Sequence, residues 1–206
     1  IPTSGALSNR NLIINGAMQV AQRGTSATGM TSTAYRTVDR FKTFMKASGA
    51  GTWTQTQEAD GPSGFSSSLK LECTVADASL VSDAYFFLSQ AIEAQNLQHL
   101  DYGSSDAKTL TLSFWVKSNK TGTYVFELQH QDAASNTGNS HQYTISAANT
   151  WEYKTITISG QTSDLIDNNN GAGLNVYFWV LAGVDYSSGT YSEDTWQGTG
   201  VNRAVG

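Results

Sequence analysis

Residues 108–131 alternate with a period of two over most of their length. Leu110, Leu112, Phe114 and Val116 take turns with Thr111, Ser113, Trp115 and Lys117. Beyond Asn119-Lys120-Thr121-Gly122, Tyr124, Phe126 and Leu128 take turns with Val125, Glu127 and Gln129. In an extended chain successive side chains point to opposite faces, so each set belongs to one face of a sheet. The stretch predicts one long β-hairpin turning at residues 119–122. Its Leu/Phe set lines a sandwich core. The other set carries Trp115, Glu127 and Gln129 away from that core, and this second face is the candidate functional surface. Binding, not catalysis, is expected of it.

The same period recurs along the chain. Residues 68–75 and 150–159 read as amphipathic strands, with Trp151, Tyr153, Thr155 and Thr157 opposing Glu152, Lys154, Ile156 and Ile158. Residues 41–44, 52–57 and 141–147 are further strand candidates. Residues 84–91 are apolar on both faces, which predicts a central strand. In residues 174–182, Leu174, Val176, Phe178 and Val180 form one apolar face and Asn175, Tyr177, Trp179 and Leu181 the other. Residues 12–20 are a short apolar run broken at Asn15-Gly16, a turn or bulge pair. Residues 22–34 are small and polar and read as loop, and residues 92–100 as a short helix or a polar connection. No internal repeat and no long helical period is present. The prediction is an all-β chain: an antiparallel β-sandwich of jelly-roll type, one domain over residues 12–206 after an extended lead-in at 1–11. The single cysteine, Cys73, excludes an internal disulfide, and its alternation with Leu69, Leu71 and Val75 makes it a small core residue.

Only 14% of the 206 residues are charged and the net charge is −5, with no Lys/Arg run. That argues against nucleic acid and anionic membrane surfaces as partners. The longest apolar run, residues 176–184, is far short of a membrane span. There is no phosphate-cradling glycine loop and no G-x-S-x-G elbow. His99, His130 and His141 lack metal-ligand spacing and read as ordinary polar loop or edge residues. Asp164, Asp167 and Asn168 read as an Asx-rich turn and not as a Ca²⁺ loop. Glycoside hydrolysis needs two carboxylates flanking the bond, and nothing marks such a pair among Glu93, Asp101, Glu127 and Glu152. No catalytic residue, metal or cofactor is therefore expected, and the chain is read as a non-enzyme. Tyr177 and Trp179 share an outward face, with Trp115, Glu127 and Gln129 nearby if the strand order allows it. Sugar rings pack their C–H faces on aromatic planes and direct their hydroxyls to amides and carboxylates. These five residues are the candidate glycan contacts. The alternative is that the tryptophans fill a second layer or a subunit interface.

Two N-terminal pieces, NLIINGAMQVAQRG at residues 11–24 and YRTVDRF at 35–41, resemble the start of a domain of phage tail-fibre and related virion proteins. LSFWVKSNKTGTY at 112–124, NTWEYKTITISG at 149–160 and GLNVYFWVLAG at 173–183 follow in the same order and also resemble strands of jelly-roll carbohydrate-binding modules. The resemblance implies a virion surface protein, commonly trimeric, that meets other virion proteins and a host surface glycan. It implies no fixed catalytic residues. The chain departs from the pattern at residues 198–206, which supply little of the apolar closing strand such domains carry. The alternatives are a carbohydrate-binding module of a secreted polysaccharide-degrading enzyme and a purely architectural capsid or fibre-attachment domain.

Overall fold

A computed structural model describes residues 11–46, 48–133 and 137–198. Strands dominate: β1 (Ser26–Met30), β2 (Ala34–Tyr35), β3 (Lys42–Met45), β4 (Thr52–Glu58), β5 (Ser68–Val75), β6 (Tyr85–Glu93), β7 (Leu110–Val116), β8 (Gly122–His130), β9 (Thr137–Ile145), β10 (Glu152–Ile158), β11 (Ala172–Ala182) and β12 (Trp196–Gly198). Two 3₁₀ turns, Ala94–Asn96 and Gln98–Leu100, occupy the stretch expected to be a short helix or connection. One helical turn, α1 (Val184–Ser187), follows β11. The chain forms the antiparallel all-β sandwich expected of it. One layer is a seven-stranded sheet ordered β12-β9-β8-β11-β6-β3-β2. Two separate ribbons, β1-β4-β5 and β10-β7, face it.

The 108–131 stretch is not a hairpin. β7 pairs with β10, with Trp115 opposite Tyr153 and Leu112 opposite Ile156. β8 pairs with β9 and β11 in the large sheet. The connection thus crosses from one layer to the other. Leu110, Leu112 and Phe114 press down on the same core that Phe126, Leu128, Leu174 and Val176 build from below. Alternation specifies an apolar face on each strand. It does not say whether two such faces lie side by side or meet across a core, and here they meet. Phe114 sits edge-on to Phe178 at 5.1 Å and to Tyr143 at 5.1 Å, the aromatic geometry that adds to simple burial.

Other corrections are local. Residues 26–30, within the expected loop, and 34–35, at its end, are strands. Their polar composition fits β1, an edge strand that leaves only Met30 fully buried. Cys73 is exposed: it lies opposite Trp53 on the edge strand β5, beyond the part that Leu69 and Leu71 anchor. His130 and His141 are core residues, 0% and 4% exposed. They stand apart, His130 opposite Thr137 and His141 opposite Phe126. Residues 1–10 and 199–206, which hold the expected lead-in and most of the segment that departs from the closing-strand pattern, lie outside the described residues.

Residues 12–20 serve the sandwich without joining a sheet. The side chain of Gln90, 1% exposed on the inner face of β6, accepts from the Ile14 N–H at 2.7 Å and donates to the Ile14 carbonyl at 2.9 Å. A buried amide has to be satisfied, and here it clamps the incoming chain as a strand partner would. Ile13 and Met18 then pack with Val38, Phe41 and Leu88.

Candidate functional site

Cross-strand register sorts the five candidate contacts into two places. On the outer face of the large sheet, Tyr177 lies opposite Glu127 and Asn175 opposite Gln129. Trp179 lies opposite Phe87, and Phe87 opposite Phe44. Glu127, Gln129, Tyr177 and Trp179 therefore do come together. They do so as a hydrogen-bonded layer: the Trp179 indole donates to Glu127 Oε2 at 2.9 Å, the Tyr177 hydroxyl donates to Gln129 Oε1, and Asn175 donates to Tyr177 at 3.3 Å.

This layer is not the open platform expected of it. Trp179 is 3% exposed, Tyr177 9% and Glu127 1%, while Gln129 is half-buried. Phe87 stands 4.4 Å from Tyr177 and 4.8 Å from Trp179, with Phe44 stacked on it at 5.2 Å. The chain after β11 then doubles back. Tyr186 of α1 reaches Trp179 at 5.6 Å, and the Tyr191 hydroxyl bonds the Ser140 carbonyl at 3.1 Å. Asp194 pins the end of this strap, accepting from the Ser159 N–H at 2.8 Å, the Ser159 hydroxyl at 2.5 Å and Asn139 at 3.0 Å. Burial pushes the Asp194 carboxyl up, but these bonds and His141 beside it outweigh that and hold it below the usual carboxylate range. Burial holds the His141 imidazole below its ordinary value against the pull of Asp194 and Glu193.

Trp115 is elsewhere, on the outer face of the β7–β10 ribbon. The separation follows from the layer crossing between β7 and β8. There Trp115 is 37% exposed and Tyr153 55%, with ring centroids 5.2 Å apart. Ser113 and Thr155, then Thr111 and Thr157, continue the same exposed face as cross-strand pairs. At the other end Lys117 forms an ion pair with Asp60 and lies 4.9 Å above the Trp151 ring, whose indole donates to Asp60 at 3.4 Å. Lys117 and Trp151 together hold the Asp60 carboxyl below its ordinary value. The ribbon thus presents aromatic planes between a charged end and a hydroxyl end. The sequence set Tyr153 on one face with Trp151, Thr155 and Thr157 without showing that this face is outward or that it meets Trp115.

The remaining acidic candidates have separate tasks. Glu152 accepts from the Ser146 and Ala147 N–H groups and from Lys154. Lys154 first, then these backbone groups, lower its pKa to about 2. Asp101 pairs with Lys108 at 3.4 Å. Glu93 lines a groove of about 410 Å³ together with Arg23, Tyr35, Asp39 and Arg40. Asp39 forms an ion pair with Arg23 at 2.7 Å. Asn15 joins the two N-terminal pieces, donating to the Val20 and Asp39 carbonyls. Among the described residues no cluster of His, Cys, Asp or Glu could hold a metal ion. The Asp167 region is an Asx turn, in which Asn169 accepts from the Gly171 N–H at 2.7 Å.

Neither a protein-family model nor a curated protein matches the sequence. Among solved structures, the chain is similar to the crystal structure of the Bacteriophage CBA120 tailspike protein 4 enzymatically active domain, with 18% identity and a TM-score of 0.44. The match covers 84% of this chain and 20% of that one, so no residue role is transferred from it. It corrects one expectation. The matched domain is described as enzymatically active, and the reading of the present chain as a non-enzyme is withdrawn. What the chain shares with known proteins is thus a likeness to a phage tailspike structure.

Proposed function

We propose that the chain is a virion domain of a phage tail appendage, of jelly-roll type, that contacts host surface glycan through the outer face of the β7–β10 ribbon. The observation that carries this reading is the solvent-facing pair of Trp115 and Tyr153, cross-strand neighbours 5.2 Å apart and flanked by exposed hydroxyls. Paired rings offer flat apolar area to pyranose C–H faces, while Ser113, Thr155 and the Lys117–Asp60 end supply directed polar partners. The resemblance of residues 11–24 and 35–41 to tail-fibre domains supports the setting on a virion. Single-site binding of this kind is weak, and several copies on one particle would raise it by avidity.

An array of bacterial surface polysaccharides probed with the protein tests the reading. Trp115→Ala and Tyr153→Ala should each weaken binding to the captured glycan about tenfold, close to 1.4 kcal/mol. Unchanged capture by both variants would remove the ribbon from the contact. Absence of any captured glycan would favour the architectural alternative, in which the same face meets another virion protein.

A further inference from the structure

We propose that the groove beside β2 is a second binding site, for an acidic sugar whose carboxylate is taken by Arg40. The groove, about 410 Å³, lies against the outer-face residues Ala91, Glu93 and Ala172 of the large sheet, on the opposite side of the sandwich from Trp115 and Tyr153. Its size falls in the range that encloses a small ligand. Its charges are unequally committed. Arg23 is held by Asp39 at 2.7 Å, and Glu93 accepts from the Gln95 amide at 3.0 Å. Arg40 makes no hydrogen bond or ion pair among the described residues. Its backbone is also held at φ 74°, a left-handed conformation that non-glycine residues rarely adopt. The Phe41 N–H to Val38 carbonyl bond, at 3.4 Å, closes the turn that sets this conformation and carries the Arg40 side chain to the groove.

The surroundings define the ligand class. Tyr35, 47% exposed, has Arg23 5.7 Å and Lys42 5.6 Å from its ring centroid. Lys42 stands closer to Phe44, at 4.4 Å, and outside the groove, whose own lining sets Arg23 and Arg40 against Asp39 and Glu93. A guanidinium presents a planar fork of donors that matches a carboxylate, the ring offers a face to a pyranose, and Asn170 and Glu93 can meet hydroxyls. That a sugar carries the carboxylate rests on the glycan reading above; the carboxylate contact itself rests on Arg40, with Glu93 placed to accept from hydroxyls.

Digalacturonate and its dimethyl ester, the same disaccharide with and without charge, test the site by calorimetric titration into the full chain. Saturable binding of digalacturonate is expected, with the ester at least about tenfold weaker. Arg40→Gly, which the left-handed backbone favours, should retain the thermal midpoint and lose digalacturonate by a similar factor. Trp115→Ala should leave it unchanged, so failure here and failure of the ribbon reading are separate results. Equal affinity for acid and ester, full affinity in Arg40→Gly, or no saturable binding of digalacturonate would each overturn the proposal.

Discussion

The two outer faces of the sandwich carry aromatic side chains at the same strand period, yet their fates differ. On the large sheet, Tyr177 and Trp179 are sealed by Phe87, Phe44 and the strap that starts at α1. On the β7–β10 ribbon, Trp115 and Tyr153 touch each other and face solvent. Alternation marks a side chain as outside its own inter-sheet core. Whether a later segment returns to cover it is decided by topology. The covered face gains stability from its rings, while the open one leaves them in solvent.

The largest test of this contrast is truncation of the two tryptophans. Trp179→Ala removes a buried ring and leaves the Glu127 carboxylate, 1% exposed, without its indole donor. Losses of about 3–5 kcal/mol are expected for such a site, read as a fall in unfolding midpoint of roughly 6–20 °C. An effect under about 1 kcal/mol would show that this face is not a packed layer. Gly138 gives the next largest effect. A Cβ there would collide with the buried Glu127 Oε1, so Gly138→Ala should cost about 1–3 kcal/mol through overpacking, measured by urea denaturation.

Acid probes the strap. His130 and His141 both titrate below their ordinary value because of burial. The unfolded chain therefore takes up protons first, and stability should decline as pH falls below about 6.5. Asp194 is depressed in the folded chain, so its contribution is intact above the unfolded carboxylate value near 3.9 and is lost as pH falls through the folded one. Urea midpoints taken from pH 7.5 to 3 should show both limbs, and Asp194→Asn should flatten the lower. A flat profile in the native protein would contradict the pinned strap. Smallest of all, Trp115→Ala should change stability by no more than about 0.5 kcal/mol, as befits an exposed surface position.

The strands themselves were largely legible. Residues 68–75 match β5 in both bounds, and residues 84–91 form the central strand that their two apolar faces predict, between β11 and β3. Glu127, Gln129, Tyr177 and Trp179 share one face because parity within β8 and β11 fixes it. Pairing across the chain was not legible. The short connection after Val116 suits a hairpin as well as a layer crossing, and the strand order on which Trp115's nearness to Trp179 depended puts it on the opposite layer. The cover over Trp179 was hidden for a related reason: residues 183–198 are polar and glycine-rich, and their holding contacts are single side chains such as Tyr186 and Asp194. The groove at Arg40 left a trace in the charged, aromatic stretch 35–41, but its other wall comes from Glu93 and Ala172.

The five tryptophans allow the central contrast to be read in one spectrum. In ¹⁵N-labelled protein titrated with the glycan captured most strongly on the array, the indole N–H of Trp115 should shift progressively while that of Trp179 stays fixed. A shift confined to Trp179, with Trp115 unmoved, would contradict the account and place the ligand on the face described here as sealed.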